Sequence, residues 1–151
     1  MPFSSSLAAY PVLSYKFHMQ KVTGFFISRG KSFGHAFAGW WHVIRTQQNA
    51  WIHAIVSVSV IAISIWLGIG RMEWAMIIGA IALVWIAEFL NTALEVVVDL
   101  ATNHSNHELA KVGKDVGAAA VLIAAAASVV IGLLILGPAL WQKVSLLLAS
   151  F

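Results

Sequence analysis

Four polar side chains interrupt an otherwise apolar stretch of this chain at a spacing that suits chemistry. Glu88, Asn91, Glu95 and Asp99 stand at i, i+3, i+7 and i+11. On an α-helix they fall within an arc of about 80°, a single polar ridge. With a rise of about 1.5 Å per residue, Glu88 and Glu95 lie roughly 10 Å apart along the axis. A carboxylate in a low-dielectric pocket is a better proton acceptor than one in water. A carboxylate closer to a polar loop can hold a divalent cation through oxygen. The plain alternative is that these acids pair with lysines and tie helices together. The nearest lysines, Lys111 and Lys114, belong to the following loop. An acidic ridge and a basic pair at one level suit a metal-chelated polyphosphate.

The ridge sits on the second of three apolar runs: 51–67, 74–98 and 116–136. Each approaches the ~20 helical residues needed to cross a hydrocarbon layer. Acids placed inside such a segment are expensive, and they mark a bundle interior, a wet cleft or a functional site. The turn GIGRME, Gly68 to Glu73, makes the first two spans antiparallel neighbours, and Gly137-Pro138 reads as a stop for the third. Residues 99–115 form the most polar stretch of the chain.

Composition agrees. Of 151 residues 60% are hydrophobic and 10% charged, against roughly a quarter charged in soluble domains. One small core cannot hide that much apolar surface. The absence of cysteine excludes thiol catalysis, disulfides and cysteine metal sites. The net charge of +3 is scattered, which argues against a nucleic-acid partner. Lys16, Lys21, Arg29, Lys31 and Arg45 precede the first span, where no acid occurs before Glu73. The positive-inside rule then places the N-terminus and the 99–115 loop in the cytoplasm.

Ahead of the first span the chain divides in two. Residues 1–27 carry no helical period and read as a loosely ordered tail. Over 31–46, Phe33, Phe37, Trp40, Trp41 and Ile44 make one stripe, with Lys31, His35, His42 and Arg45 largely off it. A basic helix with such a face suits the lipid interface, or packs its stripe on the bundle. The expectation is an all-α membrane protein: three transmembrane helices within a domain at 28–138, an amphipathic surface helix at its start, and a tail at 139–151.

The run EFLNTALEVVVDL (88–100) followed by HELAKVGKDVGAAAVL (107–122) resembles the bacterial diacylglycerol kinase and undecaprenol kinase family of small membrane lipid kinases. The resemblance extends through KSFGHAFAGWWHVIRTQQNAWIHA (31–54) and covers roughly residues 25–138. It implies transfer of the γ-phosphoryl of ATP, with Mg2+, to the hydroxyl of a membrane lipid alcohol, by a homotrimer with composite sites in a bacterial plasma membrane. Position by position, it makes Glu88 the catalytic base and Glu95 a magnesium ligand. Asn91 and Asp99 become polar residues of the nucleotide site, Lys114 and Asp115 its nucleotide-contacting pair, and Lys111 a residue that attracts phosphate. An acidic metal contact just before the first span is replaced by Gln47. A surface-helix tyrosine corresponds to His35, and an early arginine falls at Ser28 or Arg29.

Three other motifs carry nothing. GFFISRGKS (24–32) has five residues between its glycines where a phosphate-binding loop has four, and no strand precedes it. Asn103-His104-Ser105 fits the N-glycosylation pattern on the cytoplasmic side. His35, His42, His104 and His107 share no helix face at ligand spacing. Two rivals to the kinase remain open: a proton or cation pathway built on the acid ridge, and a non-catalytic relative, for which Gln47 is the hint.

Overall fold

The computed structural model of the chain describes residues 30–103 and 105–150. Every element among them is helical: α1 over residues 30–46, α2 Gln48–Leu67, α3 Arg71–Thr102 and α4 Glu108–Ala149. The chain divides into two compact units, Met1–His42 and Val43–Phe151. The three-helix bundle belongs to the second unit. Ser28 lies outside the described residues and His35 on the part of α1 in the first unit.

All three long helices are apolar enough to cross a membrane. At about 1.5 Å per residue α2 is about 30 Å long, matching the hydrocarbon, while α3 and α4 exceed it. Broad apolar faces, including Ile55, Ile65, Leu90, Ile123 and Leu133, stand exposed in the single chain. In lipid that is the low-energy arrangement, since the surroundings are as apolar as the side chains.

The α2–α3 connection is a tight reversal. Gly68 takes the left-handed conformation (φ 70°), and its N–H reaches the Ser64 and Ile65 carbonyls. Only glycine adopts that conformation without a steric penalty, so the helix ends there. Two residues on, the Gly70 N–H donates to Glu73 Oε2 at 2.6 Å and opens α3.

The main helix pair is α3 with α4. On α3 the buried face is Ile77, Ala80, Val84, Glu88, Asn91 and Thr92, at helical spacing; on α4 it is Gly117, Val121, Ala124 and Ile135. Small residues let the backbones approach, and the Ser128 hydroxyl donates across the gap to the Ala80 carbonyl at 2.9 Å. A Cβ on Gly117 would strike Asn91 Oδ1 and come within 3.0 Å of Leu94 Cδ2. A second cluster, Val43, Ile44 and Ala50, packs on Trp85 and Phe89. Of the aromatic stripe, Ile44 is buried whereas Phe33, Phe37, Trp40 and Trp41 are exposed.

Gly137-Pro138 does not stop α4, which runs on to Ala149. A proline inside a helix forfeits one hydrogen bond, a local penalty of about 3 kcal/mol, but the helix formers after it can carry the ladder onward. Lys143 supplies a further tie: its Nζ donates to the Trp66 carbonyl and lies 4.9 Å from the Trp66 ring centroid.

Candidate active site

The reversal at Gly68 sets which residues of α2 face which of α3. Ser57 accepts from Trp85 Nε1 at 3.3 Å, His53 Nε2 lies 3.7 Å from Glu88 Oε2, and Gln47 Nε2 donates to Glu95 Oε2 at 3.0 Å. The ridge is therefore built at three levels. Glu88 is deepest, Glu95 is level with the start of α2, and Asp99 stands on the part of α3 that projects past it.

At the deep level the Glu88 side chain is only 1% exposed. Neither of its oxygens has a hydrogen-bond partner, and neither do His53 Nε2 and Asn91 Oδ1. Buried polar atoms are nearly always satisfied, and leaving a carboxylate unsatisfied is costly. Such a cluster suits a site that completes its hydrogen bonds only when something binds. The Trp85 ring meets the His53 ring edge-on, with centroids 6.4 Å apart, and tilts against Phe89 at 5.9 Å. Beside Asn91, between α3 and α4, lies an apolar cleft of about 490 Å³ lined by Leu83, Ile86, Leu90, Gly117, Ala120 and Ile123.

At the middle level both oxygens of Glu95 accept from amides. Gln47 approaches from the N-cap of α2, and Asn91 Nδ2 donates to Oε1 at 3.0 Å. Gln47 makes no side-chain cap bond to its own helix, so its amide is free to serve α3. Each oxygen of the carboxylate is thus engaged by one NH2 group. Turning the Gln47 amide by half a revolution would offer its oxygen instead. No group of three or more His, Cys, Asp or Glu able to hold a metal occurs among the described residues. One carboxylate plus one amide oxygen fits a magnesium ion that keeps most of its ligands from phosphate and water.

At the outer level Lys114 Nζ meets Asp99 Oδ1 at 2.5 Å. The lysine alternative raised by the sequence thus holds for Asp99, whereas Glu95 is met by amides and Glu88 by a histidine. Asp99, Lys111, Lys114 and Asp115 share the lining of a polar cleft of about 620 Å³ with His107 and Glu108. The cleft is shaped by the ends of two helices. Asn103, in the left-handed conformation (φ 47°), terminates α3, and His107 caps α4 by accepting from the Leu109 N–H at 3.2 Å.

The structure accordingly gathers Gln47, Glu88, Asn91 and Glu95 along one seam, and Asp99, Lys114 and Asp115 around one cleft. His53 is the site residue that the sequence reading passed over. Part of its signal was available: with the α2–α3 turn centred near residue 69, antiparallel pairing puts position 53 opposite Trp85, one turn before Glu88.

An unsatisfied carboxylate inside a membrane-crossing helix, with lysines at a polar cleft beyond it, marks a helical membrane protein with a functional site built into the bundle. The chain matches the family described as prokaryotic diacylglycerol kinase over residues 34–136, and it is a member of that family. It is 45% identical over 109 residues to the diacylglycerol kinase of Synechocystis sp., covering 72% of this chain and 62% of that protein. It is 39% identical over 125 residues to the undecaprenol kinase of Bacillus subtilis, covering 83% of this chain and 98% of that one. With the diacylglycerol kinase of Escherichia coli K12 it shares 40% over 70 residues, 46% of this chain and 57% of that protein.

Proposed function

We propose that the chain is an ATP-dependent lipid kinase that transfers a phosphoryl group to the hydroxyl of diacylglycerol or undecaprenol. The observation that carries this reading is the buried Glu88 carboxylate, without a hydrogen-bond partner, one side of Asn91 from an apolar cleft, with a lysine-bearing polar cleft farther along the same helix. A membrane alcohol can bring its hydroxyl to Glu88 while its chains lie in the apolar cleft. A water-borne nucleotide reaches Lys114, Lys111 and Asp115 from the other side.

Phosphoryl transfer asks the protein mainly for positioning and charge stabilisation. Glu88 takes the proton from the lipid hydroxyl as that oxygen attacks. Asn91 holds the Glu95 carboxylate in place and lines the floor where the acceptor sits. Glu95, helped by the Gln47 amide oxygen, would hold magnesium, which when bound would neutralise charge on the nucleotide's phosphates. Lys114 exchanges Asp99 for a phosphate oxygen. The site faces the cytoplasm in this reading, and the functional assembly is a homotrimer. His35 and Ser28 are assigned to the nucleotide side by resemblance alone.

Two rivals fare less well. A proton or cation pathway needs polar groups continuing across the bilayer, yet the buried face of α3 beyond Glu88 is Val84, Ala80 and Ile77. A non-catalytic relative would have little use for an unsatisfied buried carboxylate. The test is transfer of labelled phosphate from ATP to diacylglycerol and to undecaprenol, offered separately to the purified protein in bicelles. Product on either, lost in Glu88→Gln with nucleotide binding intact, supports the reading. Turnover of Glu88→Gln near the wild-type rate would remove the general base.

A further inference from the structure

We propose that His53 is a positioning residue acting through Glu88: it orients the carboxylate as proton acceptor and relieves it of the proton after each transfer. The inference rests on the kinase reading above and deepens its proton chemistry. Transfer makes one proton per turnover. The lipid O–H bond breaks, a bond from that oxygen to the γ-phosphorus forms, the bond from that phosphorus to the β,γ-bridging oxygen breaks, and ADP leaves. The proton first resides on Glu88. A carboxyl that is 1% exposed and has no hydrogen-bond partner offers it no way out, and the next turnover needs the carboxylate back.

His53 is the titratable side chain placed to take it. Its Nε2 stands 3.7 Å from Glu88 Oε2, with no hydrogen-bond partner of its own. That separation exceeds a hydrogen bond, and closing it takes well under 1 Å, within the range of a small side-chain rotation. Glu95, the other acid on this face, already accepts from Gln47 and Asn91. The ring of His53 is braced by Trp85, one turn before Glu88, whose own Nε1 donates to Ser57 one turn beyond His53. The side chain of His53 is 15% exposed against 1% for Glu88, so the imidazole bridges the buried carboxyl and the surroundings. Imidazole is the side chain that takes and gives a proton readily near neutral pH. Once protonated, Glu88 donates its O–H to Nε2, the proton crosses to the ring and leaves by its exposed edge, and Glu88 is again ionised.

Wild type, Glu88→Gln, His53→Gln and His53→Ala are compared in the same bicelles for kcat, for KM of MgATP, and for rescue by added imidazole. His53→Gln keeps most of the volume and should fall roughly ten- to hundredfold in kcat, the range of a positioned acid–base group, with KM for MgATP within about twofold. His53→Ala should recover turnover with rising imidazole and not with pyrazole, which has nearly the same shape and is a far weaker base. A kcat for His53→Gln within twofold of wild type overturns the proposal. So does a loss that imidazole and pyrazole restore equally or not at all, since that marks packing alone. A wild type inactive on both lipids defeats the kinase reading itself, a different result from an active wild type indifferent to His53.

Discussion

Gln47 ends the first short break in the helical chain and hands its side-chain amide to Glu95, forty-eight residues on, at 3.0 Å. An N-cap residue ordinarily spends its side chain on its own helix; here it is spent on the neighbour's carboxylate. If that amide stands where a second acid could bind metal, Gln47→Glu should bring two carboxylates into contact. Without metal the variant is expected to unfold several degrees below wild type, as a penalty of about 1 kcal/mol moves a midpoint by about 2–8 °C. With magnesium the order should reverse. Thermal unfolding in detergent with EDTA and with Mg2+ reads both.

Gly117 allows α4 to close on Asn91. Gly117→Ala would drive a methyl group into Asn91 Oδ1, and overpacking of this kind typically destabilises by about 1–3 kcal/mol. The displaced Asn91 would also release Glu95, so phosphoryl transfer should fall further than stability does. Gly113→Ala is the control, because its Cβ would meet Val98 Cγ2 at 3.8 Å, an ordinary contact. Unfolding midpoints and turnover measured on the two variants separate the effects.

The Asp99–Lys114 pair is short, yet the two side chains are 34% and 38% exposed. Exposed pairs contribute about 0–1 kcal/mol, so Asp99→Asn should leave the midpoint nearly unchanged. Lys114→Met should do the same to stability while raising KM for MgATP about tenfold or more, because a phosphate contact is lost. Steady-state kinetics against nucleotide concentration check this. Equal losses of stability and affinity would make the pair structural.

Pro138 sits at the end of the bundle remote from Glu88. Pro138→Ala restores a donor and should stabilise α4 by up to about 3 kcal/mol, raising the unfolding midpoint and leaving turnover as it was. Calorimetry with a parallel kinase assay decides it.

Much of this site could be read in the sequence because helical geometry alone fixes it. The spacing of Glu88, Asn91, Glu95 and Asp99 makes a ridge wherever the helix lies, and apolar length marks the spans. What could not be read depends on contacts between helices. That Gln47 meets Glu95, that Asn91 rests against Gly117 and that Ser128 bonds the Ala80 carbonyl all require knowing how two helices are registered. His53 stands near the start of a span, and nothing local in WIHAIV betrays its partner. Gly137-Pro138 misled in the opposite sense: two helix-breaking residues signal a stop, but one lost hydrogen bond is a small defect in a ladder of forty-two residues.

The reversal at Gly68–Gly70 lies some 22 Å from His53 along α2, at about 1.5 Å per residue, and touches none of the proposed reactive groups. Its length nevertheless decides whether they meet. One residue gained or lost there without compensation would turn one helix by about 100° against the other, swinging His53 away from Glu88 and Gln47 away from Glu95. Insertions and deletions should therefore be as poorly tolerated in this exposed, chemically silent turn as substitutions are at the carboxylates.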